Sequence, residues 1–224
     1  MKFDQVDAAV AGTRFMSSKQ GRTMYDFIVK HSLPRVLELG FAYGKSSCYF
    51  AAAVDELGEG HVLTMDRTDA LDRKPNIHEL LKKCGLTEHV TPVFAHTSFT
   101  WELMKLLEQD PQPRFDFVYI DGGHTWDVTG YAFMLVDRLL APGGWVVFDD
   151  LNWTLAGSPS TRDSGWVKKL SEEERTTPQV RKVFDLLVRT HPGYVDVRER
   201  NGWGWARKAP ESEASRRRFL GRSR

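Results

Sequence analysis

The chain has 224 residues, 41% of them hydrophobic, and carries a net charge of +1 from 31 Lys and Arg against 30 Asp and Glu. That scale suits one domain with a buried core, and the near-neutral balance excludes a global field for nucleic acid. No apolar run approaches the ~18 residues of a membrane span, and the Met1-Lys2-Phe3-Asp4 start lacks a secretory apolar segment. Two cysteines, Cys48 and Cys84, are too few for a disulfide scaffold or a Cys-rich zinc site, so a cytoplasmic setting is expected.

In chain order, residues 1–33 read as a helical segment placed to lean over a site. Arg35–Leu39 is a buried strand, entered through Pro34 and closed by Gly40, and a helix follows from about Lys45 to Leu57. His61–Met65 is the second strand, and Ile77 to Cys84 is a helix ending at Gly85. Val90–Phe94 is a third strand, marked as an edge by Pro92. Trp101 to Glu108 is helical, Phe115–Ile120 is the fourth strand, and Trp126 to Leu140 is a long helix stopped by Ala141-Pro-Gly-Gly144. Trp145–Phe148 is the fifth strand, residues 154–177 are an insertion of lid type, and a helix spans 178–191. The runs Gly193–Arg198 and Trp203–Arg207 around Asn201-Gly202 read as a hairpin. Alternating strands and helices predict a Rossmann-like, doubly wound, mainly parallel α/β sheet finishing in an antiparallel pair. One domain over 1–209 is expected. Residues 210–224, with five arginines against two glutamates, read as a disordered basic tail.

Ligands of such sheets sit beyond the carboxyl ends of the strands. There the first strand runs into Glu38-Leu-Gly40-Phe-Ala-Tyr-Gly44-Lys-Ser46, a Gly-x-x-x-Gly turn that lets backbone approach a ligand closely. It is neither the G-x-G-x-x-G dinucleotide turn nor a P-loop. Asp66, ending the second strand, is suited to accept from a ribose diol, and together these features point to adenosyl binding. Asp121 ends the fourth strand and Asp149-Asp150 the fifth. Carboxylates converging on one rim would repel unless a cation joined them, and oxygen donors without Cys or paired His favour a hard ion such as Mg²⁺.

The stretch Val36-Leu-Glu-Leu-Gly-Phe-Ala-Tyr-Gly44-Lys-Ser-Ser, with Met65-Asp66, resembles the first two motifs of class I S-adenosylmethionine-dependent methyltransferases. Lys19-Gln-Gly21 to Ser47 is similar to catechol O-methyltransferase and its metal-dependent relatives. Phe117-Val-Tyr-Ile-Asp121-Gly-Gly-His124 through Phe148-Asp149-Asp150-Leu-Asn-Trp153 resembles the group that includes bacterial sugar and natural-product O-methyltransferases.

The resemblance implies a seven-stranded sheet with its last strand antiparallel. It implies cofactor contacts from Glu38, Gly40, Gly44, Ser46, Asp66, Ser98 and Asp121, and metal ligands in Asp121, Asp149 and Asp150. Asp150 stands where those relatives have Asn. His124 stands where they carry a general-base lysine, and a neutral imidazole can accept a proton near pH 7.

The expected activity is transfer of a methyl group from S-adenosylmethionine to a hydroxyl of a small molecule, a sugar, phenol, catechol or other natural product, assisted by Mg²⁺ or another divalent cation, with His124 as base. The alternatives are a metal-independent O- or N-methyltransferase and a non-catalytic S-adenosylmethionine-binding subunit. No Asn/Asp-Pro-Pro-Tyr motif follows the fourth strand, which argues against methylation of adenine in nucleic acid. A membrane partner is not expected, and a homo-oligomer is compatible with the chain. Trp145 and Trp205 read as core, whereas Trp153 and Trp166 read equally as a flat acceptor wall or as packing for the insertion.

Overall fold

A computed structural model of the chain describes residues 2–210. The basic tail read over 210–224 lies, beyond Pro210, outside the described residues. Helices α1 (Phe3–Ala9) and α2 (Ser18–His31) precede strand β1 (Arg35–Leu39). There follow α3 (Lys45–Leu57), β2 (His61–Arg67), α4 (Ile77–Cys84), β3 (Val90–Ala95), α5 (Phe99–Leu107), β4 (Phe115–Ile120), α6 (Trp126–Leu139) and β5 (Leu140–Phe148). Short helices α7 (Glu172–Thr176) and α8 (Gln179–Val183) lead to the hairpin of β6 (Tyr194–Arg200) and β7 (Trp203–Lys208).

The seven strands lie in the order β3-β2-β1-β4-β5-β7-β6, parallel from β3 to β5. β7 runs antiparallel to both β5 and β6. This is the Rossmann-like doubly wound sheet with its last strand reversed. Strand order switches direction at β1, which places a crevice beyond the ends of β1 and β4. Pro92 sits on β3 at the sheet edge, where a missing backbone donor is tolerated.

Two cores flank the sheet. Phe3, Met24, Ile28, Phe50 and Leu81 fill the side covered by α1 to α4, and Leu103, Phe133, Val136, Val183 and Phe184 fill the other. Helix α3 is buried through Ser46–Val54, where its run of three alanines lets it lie close to its neighbours. No described helix is long and apolar enough to cross a membrane.

Two elements depart from the sequence reading. β5 begins at Leu140, which pairs with Phe115, while Trp145 pairs with Phe117. Residues 141–144 therefore loop out of the ladder as a bulge inside the strand, with Gly143 at φ +83°. The helix read over 178–191 is shorter, since α8 passes into a single π-helical turn, Phe184–Val188.

Candidate active site

The strand ends form a stair. The Gly40 amide donates to Met65 O (2.7 Å), Asp121 N–H to Leu39 O (2.8 Å) and Asp149 N–H to Ile120 O (3.0 Å). Each of these residues, one step past its strand, is still tied to the neighbouring strand. Gly40 is at φ +95°, and a Cβ there would lie 2.3 Å from the Asp121 carbonyl oxygen, so no other residue fits. Gly44, at φ +90°, is closed over by Ile77 of α4, 2.5 Å from where its Cβ would be.

A cavity of about 480 Å³ opens at this end of the sheet, a size suited to a cofactor and part of a second ligand. Gly40, Ser46, Asp66, Asp121, His124, Asp149 and Asp150 line it. Gly44 does not, and neither does Glu38, which is fully buried beneath the glycine turn. Glu38 accepts hydrogen bonds from Ser46, Ser47 and Thr64, bracing β1 to the start of α3 and to β2. Burial pushes its carboxyl up to about 7 against the pull of those three hydroxyls. Ser98 is also outside the cavity and caps α5, its Oγ accepting from Thr100 N–H at 3.2 Å.

Asp66 accepts from the Ala42 amide and the Arg67 amide, each at 2.7 Å, with the Arg73 guanidinium 3.6 Å away. Burial nevertheless raises its pKa. Arg73 also lines the cavity, and its buried Nη1 has no hydrogen-bond acceptor among the described residues. An adenosyl group fits these features: there is room, a carboxylate for a diol, and a buried donor awaiting an acceptor.

On the opposite wall, His124 Nε2 lies 3.6 Å from Asp121 Oδ1 and 3.3 Å from Asp150 Oδ2, with neither contact aligned as a hydrogen bond. One donor atom from each of these three residues lies within 4.8 Å of the others. Asp149 is turned differently. One oxygen accepts from Trp203 Nε1 (2.5 Å) and from the Asp150 amide (2.6 Å), and the other from the Tyr119 hydroxyl. The structure thus gathers Asp121, Asp150 and His124, and holds Asp149 against the sheet.

Burial alone would lower the His124 pKa, but Asp121 and Asp150 outweigh it and raise it to about 10. Burial, with Asp149 next, raises Asp121 well above the carboxylate range. Two carboxylates and an imidazole suit a hard-to-borderline divalent cation.

Ala42, His124 and Asp150 have φ between +51° and +56°, and Phe15 has φ +69°. All four line the cavity. Left-handed backbone at non-glycine residues gathers where a site over-determines it. The Trp153 ring packs on the His124 imidazole at 4.7 Å, while Trp166 lines the cavity half exposed.

The near wall is built by the α1–α2 loop. Ser17 and Gln20 form a capping box that starts α2 beside the cavity, and Lys45 Nζ donates to Thr13 O (3.2 Å). Arg14, Phe15, Met16 and Arg73 had no motif to mark them. The only sequence signal for the first three was their place in the N-terminal segment.

Residues 37–151 match the family described as a methyltransferase domain. Among solved structures, an O-methyltransferase from Bacillus cereus in complex with SAH shares 17% identity at a TM-score of 0.64, over 92% of this chain and 88% of that one. TomG from Streptomyces achromogenes, an O-methyltransferase involved in tomaymycin synthesis and in complex with SAM, shares 18% at 0.64, over 92% and 89%. The SAH-bound methyltransferase PaMTH1 from Podospora anserina shares 18% at 0.63, over 92% and 86%. At these identities the likeness is one of fold.

Proposed function

This chain belongs to the methyltransferase-domain family, and on that premise we propose that it is an O-methyltransferase using S-adenosylmethionine to methylate a hydroxyl of a small molecule, with a divalent cation held by Asp121 and Asp150. The observation that carries this reading is the placement of His124 Nε2 between the two carboxylates at the rim of the cavity that Asp66 and Gly40 also line. S-Adenosylmethionine supplies an electrophilic methyl on a sulfonium, and a divalent cation supplies charge that lowers the pKa of an acceptor hydroxyl.

The chain's own residues do the positioning. Asp66 takes the ribose hydroxyls, and the glycine turn admits the rest of the cofactor against backbone. Trp153 packs on the imidazole, which at about 10 holds its proton in neutral solution; a cation held by Asp121 and Asp150 would offset the charge that raises it, and Nε2 would then take the proton of the acceptor hydroxyl. Asp149 serves behind them, held by Tyr119 and Trp203 so that Asp150 turns into the cavity. Phe15 and Trp166, exposed at the mouth, bound the acceptor and shed water from it.

One observation favours a second reading. Asp121, His124 and Asp150 also resemble an acid–imidazole array that orients a base without any cation. Methyl transfer to a panel of hydroxyl compounds, with and without excess chelator, separates the two. Loss of turnover on chelation, restored by Mg²⁺ or Mn²⁺, supports the cation; full turnover in chelator supports the metal-free array. No transfer to any hydroxyl under either condition, in protein that binds S-adenosylhomocysteine, counts against O-methylation.

A further inference from the structure

A second concavity, of about 260 Å³, lies where the outer face of α2 meets the β6–β7 hairpin, and it shares no lining residue with the catalytic cavity. Phe27, Lys30 and His31 of α2 line it, with Arg198, Arg200 and Trp205 of the hairpin. Asp26 is the acid on its wall.

The charge of this place is unbalanced. None of Lys30, Arg198 and Arg200 is paired with a carboxylate among the described residues. The acids of the same hairpin strand are already taken, Asp196 by Arg207 at 2.7 Å and Glu199 by Arg181 at 3.0 Å. Burial, then Lys30, Arg198 and Arg207, lowers the pKa of His31, which leaves a neutral imidazole able to donate without adding to the repulsion.

The floor is aromatic. Phe27 packs on Trp205 at 4.7 Å and on Trp145 at 5.1 Å, and the Arg198 guanidinium lies 4.9 Å over the Trp145 ring. That stacking fixes the guanidinium plane in advance, so less freedom is lost when it takes a ligand.

Trp205 is 2% exposed, and its indole Nε1 has no acceptor among the described residues. A buried donor left without a partner is costly, and structures seldom keep one without a reason. Arg73 Nη1, His124 Nε2 and Thr129 Oγ1 share that condition among the described residues, and the first two belong to residues lining the catalytic cavity. The same signature at Trp205 accompanies a second, basic cavity.

We propose that this concavity binds a phosphate-bearing small molecule, its oxyanion taken by Lys30, Arg198 and Arg200 and its apolar part seated on Phe27, with Trp205 packed behind that ring. Three unpaired cations favour a dianion over a monocarboxylate, and the volume leaves room for a small ring beside the phosphate.

The test uses phenyl phosphate as probe, titrated by calorimetry into the full chain at fixed ionic strength, with S-adenosylhomocysteine present to fill the catalytic cavity. Saturable binding at one site is expected, with Arg198→Ala and Arg200→Ala each weakening it roughly tenfold or more. Lys82→Ala, which removes an exposed cation on α4, should leave it unchanged. The ¹⁵N-indole resonance of Trp205, assigned with Trp205→Phe, should shift along the titration. Unchanged affinity for S-adenosylhomocysteine in each variant certifies folding.

The proposal is overturned by absence of saturation at millimolar probe. It is also overturned by equal losses in the Lys82 and Arg198 variants, which would reduce the effect to general charge. Benzoate binding as tightly as phenyl phosphate would overturn the preference for a dianion.

Discussion

Glu38→Gln should change how stability depends on pH. In the folded chain the Glu38 carboxyl titrates at about 7, against an ordinary value of 4.5, because burial outweighs three hydroxyl donors. A raised acid binds its proton more tightly folded than unfolded. Its contribution is therefore fully present below about pH 4.5 and is lost as pH rises through about 7. At 1.36 kcal/mol per unit, that loss is about 3 kcal/mol, a sizeable part of a domain's net stability. Glutamine keeps the shape, leaves hydrogen bonding to hydroxyls that can rotate to donate or accept, and has no proton to lose. Urea melts of both proteins across this range should show the difference between them changing by about 3 kcal/mol in favour of the variant as pH rises. Parallel stability curves would refute the reasoning and show that Ser46, Ser47 and Thr64 hold the group ionised.

Asp66→Ala should weaken S-adenosylhomocysteine roughly ten- to a hundred-fold by calorimetry, the worth of hydrogen bonds to a charged acceptor; unchanged affinity in folded protein would remove Asp66 from the site. His124→Ala should slow methyl transfer by roughly 10²–10⁴ while leaving S-adenosylhomocysteine binding intact, and wild-type rates under rate-limiting chemistry would leave proton removal to another group. Amides across residues 154–177 should exchange more slowly when S-adenosylhomocysteine and an acceptor are both bound, whereas equal protection with and without them would make the insertion a fixed wall. Gly40→Ala should be severely destabilising in chemical melts, since its Cβ would press on the Asp121 carbonyl at a φ that L residues avoid; a shift within experimental error would mean that the turn can open.

The alternation of strands and glycine-bounded helices was legible because β1, β4 and β5 run into a breaker or a polar residue, Gly40, Asp121 and Asp149, and β2 turns polar at Asp66, one residue before its end. What periodicity could not reach was the direction of individual side chains once a strand ended. Asp149 and Asp150 are adjacent in sequence, yet one is claimed by Tyr119 and Trp203 and the other, at φ +56°, turns toward His124. Glu38 lies on β1 among residues that make the glycine turn, but its side chain meets the hydroxyls of Ser46, Ser47 and Thr64 beneath it. The bulge at 141–144 carries strong turn residues, so Leu140 before it looked like a helix end although it already pairs with Phe115. Arg73 and Phe15 enter the cavity through tertiary placement alone, for which a single chain has no local code.

The stair of amides from Gly40 to Asp121 to Asp149 divides the cavity by origin. The acids descend from the sheet ladder and share its rigidity. Phe15, Trp166 and their neighbours stand on connections outside that ladder, the first of them joined to the start of α3 through Lys45 and to the glycine turn through Tyr43. Over evolutionary time the two halves can drift at different speeds: new acceptors can be tried by editing residues 10–16 and 154–167 while the donor half stays untouched. A chain built this way is a durable platform for diversification, and a directed library confined to those two connections would inherit the same freedom.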